Sequence, residues 1–203
     1  MHMDKQDLHQ FIEDLYKDAD GFSISDEGQN ALPYYFRGYE YGESSFDSFY
    51  DILLKTRIQP GETFYDLGSG LGKKVLITSL GFRNKKSIGI EAIDTLHHAA
   101  KRIINDNSHA FPFLAQQSIN LECGDFLSKD ISDGDVFYIS IAPAILEGYL
   151  SGRLLAQLLK TRIGTRIITS NIIIPSKKFE VELAQESLYT GGKGIMYLHR
   201  KID

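Results

Sequence analysis

One cysteine in 203 residues, Cys123, leaves no partner for an intrachain disulfide, so the fold must stand on its core alone. A chain not designed around oxidation fits a reducing compartment, and the expectation is a cytoplasmic protein with Cys123 as a small core residue. No run approaches the roughly 20 apolar residues of a membrane span, and the opening MHMDKQDLHQ has neither the basic nor the apolar block of a secretory signal. Basic charge is also in short supply. The 22 Lys and Arg against 27 Asp and Glu leave a net charge of −5, whereas a nucleic-acid binder normally carries a basic face. Neither a membrane nor a direct nucleic-acid partner is expected, and a neutral or basic substrate is easier to accommodate. Internal repeats and low-complexity tracts are missing from the sequence as well. What remains, 42% hydrophobic and 24% charged residues, is the mixture of an ordered domain, in a length that fits one domain.

Near the start, Leu8, Phe11, Ile12, Leu15 and Tyr16 recur at helical spacing, with Asp7, Glu13, Asp14 and Lys17 between them. From Asp18 to Tyr41 the periodicity disappears. Gly21, Gly28, Pro33 and Gly38 interrupt a segment crowded with Tyr34, Tyr35, Phe36, Tyr39 and Tyr41, which reads as an aromatic loop, either a lid or an anchor to the core. A helix-like stretch, 45–57, precedes the Pro60-Gly61 turn. Then strands and helices alternate: strands over 63–67, 87–91, 119–123, 136–142 and 165–174, and helices over 73–80, 95–106 and 144–160. This alternation predicts βαβ units and a parallel sheet covered on both faces. The ending differs, since 181–189 and 194–201 are strand-like runs joined by Thr190-Gly191-Gly192-Lys193, a hairpin signal. The expected architecture is an α/β fold of the Rossmann-like, seven-stranded methyltransferase type. It has a mostly parallel sheet closed by a C-terminal antiparallel hairpin, residues 1–57 as a helical and loop extension forming a lid, and 58–203 as the ligand-binding domain.

Asp66-Leu67-Gly68-Ser69-Gly70-Leu71-Gly72 ends the first buried strand just before a helix. Ligands of doubly wound sheets sit at the carboxyl ends of the strands, where glycines let the backbone come close and the next helix offers free N–H groups. A phosphate-binding Walker loop would need glycine at position 67 and Ser or Thr after the lysine, but Leu67 and Lys74 stand there. The dinucleotide fingerprint fails too, because the third glycine comes one residue early. The form that remains, preceded by Asp66, resembles the first motif of S-adenosylmethionine (SAM) dependent methyltransferases. Glu91 ends the next strand nineteen residues beyond Gly72, close to the spacing of about 20 for a carboxylate that accepts from ribose hydroxyls. One βα unit later, Gly124-Asp125-Phe126 offers a carboxylate for the adenine amino group and a ring to stack on the base.

Read together, four blocks resemble the catalytic domain of the Dot1 family, histone lysine methyltransferases with a Rossmann-like fold. Tyr41-Gly42-Glu43-Ser44-Ser45-Phe46-Asp47 is similar to its YGE[TS]-S-F-D loop, and Asp66 to Gly72 to its DLGSG-x-G loop. Glu122 to Ser128 is similar to its E-x-GDFLS segment, and Tyr197 to Asp203 to the Y-L-H ending of its last strand. The resemblance implies that Tyr41, Glu43 and Ser44 line the methionine end of SAM, with Asp66, Gly68, Ser69 and Gly70 in the loop beneath it. Glu91 would hold the ribose, and Asp125 and Phe126 the adenine. The chemistry would be in-line displacement at the sulfonium methyl, leaving S-adenosylhomocysteine, with Tyr41, Glu43 and Ser140 as the catalytic candidates. Two departures matter. Ser140 and Ile141, followed by Ala142 and Pro143, replace the family's asparagine pair after the fourth strand, and Lys73 replaces a glutamine beside the glycine loop. Lys73 would pair with the SAM carboxylate or be a solvated residue. A lysine-rich tail for nucleosome binding is missing, so histone H3 as the substrate does not follow.

Three functions fit: methylation of a lysine in a protein, methylation of a small molecule, and SAM binding without catalysis. The N-P-P-Y type motif of amide and nucleobase methyltransferases is absent. His97 and His98, adjacent on a helix, point about 100° apart and cannot share a metal; both read as surface residues, and no metal site is expected. His199 reads as a structural hydrogen-bonding residue. The acceptor and the oligomeric state stay open at this point.

Overall fold

The computed structural model describes residues 3–30, 41–82, 84–111, 114, 119–142, 145, 146, 148 and 152–203. In chain order the elements are α1 (Lys5–Tyr16), α2 (Gly21–Gln29), α3 (Phe46–Thr56), β1 (Thr63–Leu67), α4 (Lys73–Phe82), β2 (Lys86–Glu91) and α5 (Asp94–Asn107). They continue with β3 (Ile119–Cys123), β4 (Val136–Ile139), α6 (Arg153–Leu158), β5 (Arg166–Ser170), β6 (Phe179–Tyr189) and β7 (Gly192–Lys201). Among the described residues the strands form a seven-stranded sheet in the order β3-β2-β1-β4-β5-β7-β6. The first five run parallel, β7 lies antiparallel to β5, and β6 closes the edge antiparallel to β7.

Side chains alternate across the sheet with the period of two that a strand imposes. Phe64, Tyr138, Ile168 and Leu198 face one way and pack with Leu8 and Ile12 of α1, Phe49 of α3, and Leu76 and Leu80 of α4. Tyr65, Leu67, Phe137, Ile139 and Ile167 face the other way, against Leu154 and Leu158 of α6. The N-terminal helices thus share the core of the sheet. Asp4 caps α1 by accepting from the Asp7 N–H, and Ser45 caps α3 by accepting from Ser48.

The segment read as an aperiodic loop from Asp18 contains a helix, α2, capped by Asp20, whose side chain accepts from the Phe22 and Ser23 N–H groups. Its glycines are contact glycines and not breakers. A Cβ on Gly28 would lie 2.1 Å from Thr95 Oγ1, and one on Gly21 would lie 2.4 Å from the Tyr41 ring. Thr95 Oγ1 also donates to the Ile24 carbonyl at 2.7 Å, fixing α2 on α5. Pro33, Tyr34, Tyr35, Phe36, Gly38 and Tyr39 lie outside the described residues.

Two strands stop earlier than their apolar runs. β4 ends at Ile139 and β5 at Ser170, where Asn171 takes a left-handed φ of 60° and its N–H donates to Ile195 O at 2.7 Å, turning the chain away. Of the helical pattern over 144–160, the described part includes α6, with Gly152 at its N-cap; residues 143–144, 147 and 149–151 lie outside the description. The hairpin pairs from Phe179↔Lys201 to Tyr189↔Gly192, so its loop is Thr190-Gly191. Among the described residues no helix is long and apolar enough to cross a membrane.

Candidate functional site

β1 is flanked by β2 on one side and β4 on the other, which makes its carboxyl end the switch point where doubly wound sheets open a crevice. A cleft of about 940 Å³, counting space open to solvent, lies there.

Its floor is the glycine loop. Gly68 and Ser69 both donate to Ile90 O, at 2.9 and 3.1 Å, and Gly68, Gly70 and Gly72 all have positive φ, of 85°, 52° and 78°. Only glycine takes such a run without strain. Gly70 also has a neighbour above it, since a Cβ there would lie 2.8 Å from the Tyr41 ring. Glu91 clasps this loop to the next helix: one carboxylate oxygen accepts from Gly70 N at 2.7 Å, the other from Ile93 N at 2.8 Å. Burial pushes the Glu91 carboxyl up, while these backbone donors pull it down. Asp66, 2% exposed, is driven further up by burial, with the Lys74 charge opposing. No described residue donates a hydrogen bond to its carboxylate, although it lines the cleft. Asp125 accepts from Leu127 N at 2.8 Å to start a 3-10 turn, Phe126–Ser128, and with Phe126 it lines the far end.

Residues 41–45 form a strap across the cleft. Ser44 and Tyr189 make an isolated antiparallel bridge, with Ser45 N donating to Leu188 O at 2.8 Å and Thr190 N to Glu43 O at 2.9 Å. The Glu43 carboxylate is held by Lys73 Nζ at 2.7 Å and by the Tyr41 hydroxyl. Tyr138 donates to Ser44 Oγ at 2.9 Å, and Lys74 Nζ to Ser44 O at 2.7 Å. Burial raises the Tyr41 and Tyr138 phenols, with Glu43 adding to the shift at Tyr41. Both stay neutral donors, so neither is a general base. At the end of β4, Ser140 Oγ accepts from Ser170 Oγ at 3.0 Å, and Ser170 accepts in turn from the Tyr189 hydroxyl at 3.1 Å. A chain of hydroxyls occupies the place where an amide pair was looked for.

The structure brings Tyr41, Glu43, Ser44, Asp66, Gly68, Ser69, Gly70, Lys73, Glu91, Asp125, Phe126 and Ser140 to one cleft. Among the described lining residues there is no histidine or cysteine. Several expectations need correction. Lys73 is not a solvated residue; it is three-quarters covered, paired with Glu43 and set 5.1 Å over the Tyr16 ring. Cys123 is exposed at the end of β3, because its strand edge is uncovered there, and its thiol donates to Asp94 at 2.7 Å. His97 is buried, on the face of α5 that packs inward, while His98 is exposed. His199 is structural, as read: it accepts from Ile174 N at 3.2 Å and faces Ile167 O at 3.1 Å. Sequence reasoning missed Lys74, Tyr138, Ser170 and Tyr189. For Lys74 a signal existed, since it interrupts an apolar helix face.

The model of the family described as "Histone methylation protein DOT1" matches residues 28–190. The chain is 28% identical over 144 residues to an H3 lysine-79 specific histone-lysine N-methyltransferase of Caenorhabditis elegans, covering 68% of this chain and 15% of that protein. It is 40% identical over 63 residues to the enzyme of the same name from Drosophila melanogaster, covering 31% of this chain and 3% of that one. The chain therefore spans a small part of the length of these relatives. Among solved structures, an RNA methyltransferase from Salinibacter ruber in complex with S-adenosyl-L-homocysteine superposes with a TM-score of 0.62 at 17% identity, over 79% of this chain and 94% of that one. That likeness establishes the class of fold, and the match over most of the chain establishes the lineage: this protein belongs to the DOT1 family.

Proposed function

We propose that the chain transfers the methyl group of SAM to the ε-amino nitrogen of a lysine in a protein substrate. The observation that carries this reading is the strap: Tyr41-Gly42-Glu43-Ser44 is seated on Gly70, over the loop where a methyl donor would lie. In this reading Tyr41, Glu43 and Ser44 hold the methionine end, with Lys73 fixing Glu43 in place. Asp66, buried without a donor among the described residues, accepts from the ammonium of that end, since a buried carboxylate without a partner is costly. Gly68, Ser69 and Gly70 let the backbone approach, Glu91 takes the ribose, and Asp125 and Phe126 the adenine. Residues 1–57 act as a lid on a catalytic domain of residues 58–203. SAM supplies an electrophilic methyl: the amine lone pair forms the C–N bond as the C–S bond breaks, the sulfur keeps the electron pair, and the amine proton leaves to water. The protein's part is to align a neutral amine and exclude water.

A net charge of −5 suits a basic peptide better than a nucleic acid. A small-molecule acceptor is the second reading, favoured by the small hydroxyl side chain of Ser140 at the acceptor end. The test is incubation with methyl-labelled SAM and a lysate of the source organism, separated into proteins and small molecules. Base-stable label recovered as methyl-lysine from a protein band is the expected result. Label confined to small molecules would overturn the lysine reading in favour of the second.

A further inference from the structure

The first turn of α4 carries two lysines, and the second is the anomaly. Lys74 is 8% exposed in a helix whose residues are buried from Lys74 to Gly81. Lysine is almost never buried unless paired, because removing an ammonium from water is costly. Methionine or leucine would fill the space without that cost, so the charge itself has a role. Its Nζ donates to the Ser44 carbonyl at 2.7 Å and lies 5.3 Å from the centre of the Phe49 ring. Lys74 also lines two spaces at once: the cleft, and a second hollow behind the strap, about 630 Å³ counting space open to solvent, walled by Ile12, Phe46, Ile77 and Leu188. The ammonium therefore stands under the middle of the strap with open space on either side, and among the described residues it is the one charged group on Ser44, whose hydroxyl meets Tyr138 and whose backbone bridges to Tyr189.

We propose that Lys74 is a positioning residue for the methyl donor: through the Ser44 carbonyl its buried ammonium seats the strap against the glycine loop, and the donor-binding shape of the site depends on that charge. This inference rests on the reading that the donor lies under the strap. The charged groups facing Lys74 are Glu43 from the strap, Asp66 from the end of β1 and Glu13 from α1, which favour its protonation, and Lys73 on its own helix, which opposes it. Tyr16 of α1, Tyr138 of β4 and Tyr189 of β6 complete the surroundings as phenols raised by burial. Burial dominates and lowers the Lys74 ammonium to about 8. Above that pH the lysine loses its proton and its strong hold on Ser44, so donor affinity should fall by up to about tenfold per pH unit.

The experiment measures S-adenosylhomocysteine affinity by calorimetry between about pH 6.5 and 9.5 for the wild type, K74M and K74R. Any titration of the ligand's own α-amino group in this range is common to all three proteins, so the part due to Lys74 is the difference between wild type and K74R. Expected are a K74M affinity at least about tenfold weaker at pH 7 and without the extra slope, and a K74R affinity close to wild type at pH 7 that outlasts it above pH 8. Thermal unfolding separates positioning from folding: exchanging a buried charge for methionine is often neutral or stabilising, so K74M should bind poorly while melting no lower than wild type. Wild-type affinity and slope in K74M overturn the proposal and leave the site reading intact. Should K74M fail to fold, identical slopes in wild type and K74R overturn it. No binding by the wild type at pH 7 overturns the site reading and this inference with it.

Discussion

Replacing Gly70 by alanine tests whether the strap lies on the glycine loop, and the outcome can be worked out in two parts. The first is backbone strain: at φ 52° an L side chain costs about 1–2 kcal/mol. The second is collision, because the new Cβ would lie 2.8 Å from Tyr41 Cε2. The ring has no room to retreat. On its other side the backbone of Gly21 is so close that a Cβ there would fall 2.4 Å from the ring, Phe22 packs edge-on at 5.3 Å, and the hydroxyl is tied to Glu43. Overpacking of this kind costs about 1–3 kcal/mol. At about 2–4 °C per kcal/mol for a chain of this length, Gly70→Ala should lower Tm by about 4–20 °C, and it should weaken SAM binding as well. In a Tyr41→Ala background the collision is gone and the strain remains. A double-mutant cycle by urea unfolding should therefore show a coupling of about 1–3 kcal/mol. Gly61→Ala, with nothing within 4 Å of its Cβ, is the control and should change stability by no more than about 0.5 kcal/mol. Additive effects of the Gly70 and Tyr41 substitutions would refute the placement of the strap.

Asp66→Asn should weaken SAM binding at least about tenfold in calorimetry without lowering Tm at pH 7. Its carboxyl is raised in the fold, so the ionised form destabilises the fold progressively as pH rises above the ordinary carboxylate range; a variant that binds SAM like wild type sinks the role given to Asp66. His97 and His199 are both lowered by burial, so they are neutral in the fold and bind protons on unfolding: their stabilisation is full above about pH 6.5 and is lost as pH falls below it. His199→Asn should flatten the fall in Tm between pH 7 and 5, and an unchanged slope would count against it. The Cys123 thiol is pushed up to about 11 by partial burial and by Asp94 beside it. Iodoacetamide at pH 8 should therefore modify it about a hundredfold more slowly than an ordinary exposed thiol of pKa about 8.5, despite its exposure. Rapid labelling would show that the Asp94 contact does not form.

The sheet was legible because its strands are apolar runs bounded by turn residues, and burial on both faces writes that pattern directly into the sequence. The floor of the site was legible for a related reason: positive φ at three alternate positions requires Gly68, Gly70 and Gly72, and no side chain substitutes without strain. α2 was illegible because glycine has two uses. Gly21 and Gly28 look like helix breakers in a string of letters, but in the fold they are the points where one helix touches Tyr41 and α5. Only the partner across the contact distinguishes the two cases. Lys74 stands out in the sequence as a charge on an apolar helix face, but its role does not, since its carbonyl partner, Ser44, lies thirty residues away on the strap.

The acceptor end shows how far such reading reaches. Ser140 was visible as a departure from an expected amide, but its consequence depends on Ser170 and Tyr189, which no local pattern links to it. In the fold the Tyr189 hydroxyl donates to Ser170 and Ser170 donates to Ser140, which also hydrogen-bonds with Tyr138, so Ser140 is held without an amide. A serine is also shorter than an asparagine, and the difference leaves room beside Ile141 and Ala142, which line the same end of the cleft. Ser140 thus belongs to a hydroxyl network that fixes this wall of the cleft, and Tyr189 ties that wall to the strap through its bridge to Ser44. An acceptor that fits this space meets neutral hydroxyl groups rather than a carboxamide. Ser170→Ala should therefore alter the KM for the acceptor more than the affinity for SAM, which the proposed reading seats on the glycine loop; equal losses in both would mean that the network serves the strap alone.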